Sequence, residues 1–187
     1  GQVNVMWRAQ EAGVGVSYQV SCGNSSDLNI IDFIEFMLDD ASTDVIMAMV
    51  EHIPDGRRFM ATARRAAALK KPIVMVKLGR TEAGGHAAAS HTGAMAGSAA
   101  VYDAAFARAG LVEVHGLGEL FDAAETLGHA ITPRSERLAI LTNGGGTGII
   151  ATDLLLDEGG ELATLAPRTL GQLERSLPAG WSRGNPV

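Results

Sequence analysis

Apolar residues in this chain follow two different spacings. Val45 to Val50, Ile73 to Leu78 and Leu111 to Val114 are short, nearly continuous apolar runs, the pattern of parallel strands buried on both faces. The segments between them have helical spacing. Ile30, Ile31, Phe33, Ile34, Met37 and Leu38 form one apolar stripe. Gly56 to Leu69 predicts an Arg- and Ala-rich helix ended by Lys70-Lys71-Pro72, and Ser98 to Ala109 and Gly118 to Ala130 predict two more. At the start, Val3 to Ala12 predicts a helix broken by Gly13-Val14-Gly15, and Val16 to Ser21 alternates like a strand. Gly23-Asn24-Ser25-Ser26-Asp27 predicts a loop whose last residues cap the following helix. Gly79 to Gly97 predicts a long loop of small residues. Strands alternating with helices across short turns imply a parallel sheet covered on both faces.

Pro133-Arg134 reads as a linker, which divides the chain into residues 1–132 and 133–187. The second part begins with a strand at Leu138 to Leu141. It continues through Asn143-Gly144-Gly145-Gly146-Thr147-Gly148 into a helix from Ile149 to Asp157, and Leu162 to Leu165 predicts a further strand. That is one β-α-β unit, the beginning of a domain. The chain enters on a helical pattern and leaves on the turn signal Gly184-Asn185-Pro186-Val187, so an excised piece of a longer protein is expected.

Composition narrows the function classes. Hydrophobic residues are 47 % of the 187 and aromatics only 5 %, which favours close-packed helices on a sheet. The net charge of −6 and the lack of a basic run argue against a nucleic-acid groove. No segment approaches the ~20 apolar residues that span a bilayer. The single cysteine, Cys22, has no metal-ligand spacing around it and fits a reducing cytoplasm.

The strongest chemical signal is Ala87-Ala88-Ala89-Ser90-His91-Thr92-Gly93-Ala94-Met95-Ala96-Gly97. Small residues around His91 would let a phosphoryl group approach an imidazole, which is a nucleophile when neutral. A hydrogen-bonded loop histidine is the plain alternative. Glu51 follows a buried run and so falls at the carboxyl end of a strand, where open α/β sheets bind ligands. A carboxylate there can fix an imidazole tautomer, or it can simply cap a helix or face solvent. His52 reads as a loop residue. Gly144 to Gly148 joins a strand to a helix. Its glycines and the helix amino end suit an anion, although no Walker A lysine follows and a ligand-free turn has the same pattern. Gly23 and Asn24 also follow a strand and read either as ligand contacts or as an ordinary turn. Lys77 and Arg80 could offset phosphate charge or only be solvated, the second reading being favoured for Arg80. His86, His115 and His129 have no partner pattern.

Several of these stretches resemble ADP-forming (NDP-forming) acyl-CoA synthetases, relatives of succinyl-CoA synthetase. The resemblance rests on Gly79-Arg80-Thr81 through the His91 loop, Tyr102 to Phe106, Gly118 to Ala124, Ser21 to Asn24 with Asp27, Val50-Glu51 and Lys71 to Val74. It implies a flavodoxin-like three-layer fold with a parallel sheet, followed by the start of a second flavodoxin-like unit. It further implies that His91 is the transiently phosphorylated histidine and Glu51 the glutamate that holds it. Ser90, Thr92, Gly93, Gly145, Gly146 and Thr147 would bind phosphate, with Gly23 and Asn24 on the CoA side. The implied reaction interconverts a small carboxylic acid, CoA and ATP with acyl-CoA, ADP and phosphate. CoA and ATP/ADP with Mg are then substrates of the full-length enzyme, with none held tightly by this piece and no resident metal. The implied partners are a CoA-binding domain and an ATP-grasp domain, in the same or another chain; a second copy in a homodimer is also open. A regulatory acyl-CoA synthetase-like module, for example one fused to an acetyltransferase, is the competing expectation.

Overall fold

The computed structural model describes residues 2–23, 25, 27–86, 98–129 and 133–187. It divides into two compact units, Gly1–Ile131 and Thr132–Val187. In the first unit, helix α1 is Gln2–Glu11, α2 is Ile30–Asp39, α3 is Gly56–Ala68, α4 is Ala99–Ala109 and α5 is Leu117–Gly128. Strands β1 (Ile46–Val50), β2 (Ile73–Lys77) and β3 (Val112–Val114) form a wholly parallel sheet in the order β1-β2-β3.

Alternate side chains of β1 and β2 face opposite layers, as the two-residue strand period requires. On one face Ile46, Ala48, Val50, Ile73 and Met75 pack with Ile31, Ile34 and Leu38 of α2, Phe59 and Ala66 of α3 and Phe106 of α4. On the other face Val74, Val76 and Val114 pack with Leu120 of α5, joined by Met47, Val112 and Leu127. Three layers result. Phe106, fully buried, anchors the first face; a side chain of that size contributes roughly 1.5–3 kcal/mol by burial.

Local chemistry sets the helix limits. The expected cap within 23–27 falls later, on Asn29. Its side chain accepts from Ile31 N at 2.8 Å while Asp32 accepts from Asn29 N at 2.8 Å; this reciprocal pair satisfies two amides that the helix cannot. Asp55 caps α3 by accepting from Arg58 N at 2.9 Å. Gly110, at φ 69°, ends α4.

Two further expectations need correction. Val16 to Ser21 forms no strand and belongs to no ladder among the described residues. Alternation supplies side-chain faces but not backbone partners, and Val16, Tyr18 and Val20 are exposed. The segment is tied down instead by Ser17 Oγ to Thr43 Oγ1 at 3.0 Å and by Tyr18 against Phe36, ring centroids 5.2 Å apart. The long loop from Gly79 is also not wholly a loop: residues 82–86 are helical. Thr81 starts this turn, its Oγ1 accepting from Gly84 N at 3.1 Å and its carbonyl from Gly85 N at 2.7 Å.

The second unit holds β4 (Arg137–Leu138) and β5 (Glu161–Leu162), paired in parallel, with helix α6 (Gly145–Asp157) between them. Helix α7 (Pro167–Ser176), absent from the sequence reading, follows with proline in its first turn. Asn185 braces this unit: its side chain accepts from Ile140 N at 2.9 Å and donates to Leu138 O at 2.8 Å and Ala163 O at 2.9 Å. Val187 continues the pairing, with N to Ile140 O at 2.8 Å and O from Thr142 N at 2.9 Å. The terminal turn signal is thus a structural part.

Candidate functional site at the carboxyl edge of the sheet

In a parallel sheet every strand delivers its carboxyl end to the same edge. Val50 is in register with Lys77, and Leu78 N donates to Val50 O at 2.8 Å. Glu51 therefore emerges beside Lys77, one residue beyond the ladder. Gly79, at φ 70°, then turns the chain toward Arg80 and Thr81; a side chain at that angle would be strained.

The loop carrying Glu51 is held from α4. Ile53 N donates to Tyr102 Oη at 3.3 Å, and the Tyr102 ring packs on Phe106 at 5.7 Å. Glu51 is half-buried and His52 exposed. The helix-cap role open to Glu51 in the sequence belongs to Asp55.

Lys77 is buried, only 3 % exposed. Its ammonium donates to the Leu78 carbonyl and stands 4.7 Å from the centre of the Tyr102 ring. Burial pushes its pKa down, Arg80 pushes the same way, and the Glu51 carboxylate opposes both. A cation in this setting costs desolvation energy unless an anion offsets it.

Arg80 is not the solvated residue expected from the sequence. Its guanidinium donates to Asp103 Oδ2 at 2.9 Å, lies 2.8 Å from Asp103 Oδ1 and also pairs with Glu113. The hydrogen bond to Asp103 holds its pKa up. The turn leading toward His91 is thereby tied to α4 and β3. Arg80, Asp103, Glu113 and Tyr102 were missed as site residues because their partners are 23 to 49 positions away in sequence. Only the folded sheet edge brings them together.

Of the expected site residues, Asn24, Ser90, His91, Thr92 and Gly93 lie outside the described residues. Gly23 sits in a turn at φ 54°, closed by Ser25 N to Cys22 O at 3.2 Å. In the second unit, Gly144 is the N-cap of α6, without a side-chain cap, and Gly145, Gly146 and Thr147 form the exposed first turn. The first hydrogen bond inside the helix is Gly148 N to Gly144 O at 3.1 Å. The preceding amides have no intrahelical acceptor, an arrangement that suits an anion.

Residues 2–127 match the family model described as "Succinyl-CoA ligase like flavodoxin domain". The chain is 45 % identical over 146 residues to the ADP-forming acetate–CoA ligase I subunit alpha of Pyrococcus furiosus, covering 78 % of this chain and 31 % of that one. It is 43 % identical over 175 residues to the ADP-forming acetate–CoA ligase I of Archaeoglobus fulgidus, covering 94 % of this chain and 25 % of the other. A solved structure of the Ca. Korarchaeum cryptofilum dinucleotide forming acetyl-coenzyme A synthetase 1 in complex with phosphate and ADP superposes with TM-score 0.88 at 40 % identity, over 99 % of this chain and 40 % of that one. The chain thus spans between a quarter and two-fifths of these relatives' lengths. The matched family, the parallel three-layer first unit and the fit to a solved synthetase agree: the chain belongs to the succinyl-CoA ligase-like flavodoxin domain family of NDP-forming acyl-CoA synthetases.

Proposed function

We propose that this chain is the phosphoryl-carrier part of an ADP-forming acyl-CoA synthetase, with His91 as the carrier and Glu51 as the carboxylate that holds it. The observation that carries this reading is the position of Glu51. It stands at the carboxyl edge of the sheet beside a buried lysine, and the neighbouring strand is followed in sequence by the segment that contains His91. Residues 1–132 form the carrier domain. Residues 133–187 begin a second flavodoxin-like unit, whose open α6 start at Gly145, Gly146 and Thr147 supplies phosphate-binding amides.

In the reaction, one nitrogen of neutral His91 attacks the phosphorus of an acyl phosphate. An N–P bond forms, the P–O bond to the acyl group breaks, and its electron pair leaves with the carboxylate. Glu51 accepts a hydrogen bond from the other ring nitrogen and offsets the positive charge growing on the ring. Ser90, Thr92 and Gly93 present short polar groups and backbone to the phosphoryl oxygens, and Gly23 and Asn24 face the CoA side. The phosphoryl group then passes to ADP; in reverse, ATP phosphorylates His91, the carboxylate takes the phosphoryl group to give the acyl phosphate, and the CoA thiol attacks its carbonyl, forming the C–S bond and expelling phosphate. CoA, a small carboxylic acid and the nucleotide with its Mg are substrates handled with CoA-binding and ATP-grasp domains, in the cytoplasm.

The test uses the full-length protein that contains this chain. Incubation with phosphorus-labelled ATP should give acid-labile, base-stable label that His91→Ala abolishes. Label that persists in His91→Ala would remove His91 from the role, and a protein that takes no label under turnover conditions would favour the regulatory reading.

A further inference from the structure

Lys77 is the one charged residue in β2, and its side chain lies on the same face as Ile73 and Met75, against α4. Among the described residues, the side chains packed in the core on that face are apolar. A methionine would fill the same space without the cost of desolvation. The described residues offer its three N–H donors one carbonyl, that of Leu78, together with the Tyr102 ring. Tyr102 meanwhile holds Ile53, two residues after Glu51. One aromatic side chain therefore holds both the lysine and the loop that carries the carboxylate.

We infer that Lys77 is a positioning residue of this site, its buried ammonium acting through charge on the Glu51 carboxylate across the ends of β1 and β2. This rests on the reading of Glu51 given above. The charged groups that act on the ammonium are Glu51 and Arg80. Arg80 is offset by Asp103 of α4 and Glu113 of β3, which leaves Glu51 as the carboxylate directed at Lys77. The ammonium holds the Glu51 carboxylate in place through charge while the histidine it serves changes charge.

The experiment measures the initial rate of acid-labile phosphate incorporation in the full-length protein at one near-neutral pH. It compares wild type, Lys77→Met, Lys77→Arg, Glu51→Gln and the double variant Lys77→Met/Glu51→Gln. Removing the cation should slow Lys77→Met about tenfold. Lys77→Arg should restore most of the rate. In the Glu51→Gln background, Lys77→Met should add no further loss. Circular dichroism confirms folding, and Lys77→Gln replaces Lys77→Met if the latter misfolds. An unchanged rate in Lys77→Met, or effects that add independently of Glu51, overturns the role of Lys77 alone. Absence of label in wild type overturns the reaction reading and this role with it.

Discussion

Arg80 and Asp103 face each other with two contacts, at 2.9 and 2.8 Å, although 23 residues separate them. Arg80 also pairs with Glu113, so one guanidinium joins the turn after β2 to α4 and β3. Arg80→Ala would leave two carboxylates without their cation. Because Asp103 is 44 % exposed, water screens part of the loss, and about 1–2 kcal/mol of destabilisation is expected. The larger effect falls on phosphoryl transfer, because displacing a catalytic loop by about 1 Å can cost ~10²-fold in rate. Thermal melts and labelling rates of Arg80→Ala test both; a variant with full labelling would separate this ion pair from the site.

Lys77 also predicts a pH dependence of folding. Burial lowers its folded pKa, so the unfolded chain binds the proton more readily than the native one. Folding is opposed below the folded pKa. The opposition fades as pH rises from there toward the unfolded value of about 10.4. Wild type should therefore gain stability relative to Lys77→Met as pH is raised toward 10, read by urea unfolding. A difference that stays constant with pH would contradict the buried-charge assignment.

Two glycines of the α6 start should respond oppositely to alanine. A Cβ at Gly148 would stand 3.1 Å from Thr142 Cγ2 and 3.3 Å from Pro186 Cβ, and such overpacking costs about 1–3 kcal/mol. A Cβ at Gly146 meets nothing within 4 Å, and alanine is the better helix former by about 1 kcal/mol. Thermal melts should show Gly148→Ala destabilised and Gly146→Ala unchanged or raised.

Arg58 links α2 to α3, pairing with Asp32 at 2.6 Å and Glu35 at 2.5 Å, with Thr62 donating to Glu35 at 2.8 Å. The Asn29 amide and Arg58 hold Asp32 below the usual carboxylate range, and Arg58 and Thr62 do the same for Glu35. The stability these carboxylates contribute is fully present above their unfolded values of about 4 and is lost as pH falls through the lower folded values. The gap between wild type and Arg58→Met should be constant from neutral pH to about 5 and shrink below about 4. Acid titration followed by circular dichroism reads it; a gap that widens in acid would contradict the pairing.

The layered fold was legible because continuous runs such as Val45 to Val50 leave no solvent face, and only a parallel sheet between helices buries both. The position of Glu51 followed from the same run. Two things were not legible. Val16 to Ser21 has a strand's alternation, but pairing depends on a backbone partner that periodicity does not encode. Lys77 and Arg80 read as offsetting phosphate charge or as solvated, whereas the sheet edge buries one and neutralises the other with Asp103 and Glu113. Their roles depend on contacts made across the fold. The cap at Asn29 was missed by two residues, since several nearby polar side chains fit the same pattern.

The central claim is that a histidine of this chain carries phosphorus beside Glu51. Trapping the full-length protein during turnover, digesting it at neutral pH and sequencing the phosphopeptide by tandem mass spectrometry addresses it most directly. The account predicts phosphate on His91 in wild type and a much smaller yield in Glu51→Gln. Phosphate on any other residue, or an undiminished yield in Glu51→Gln, would contradict it.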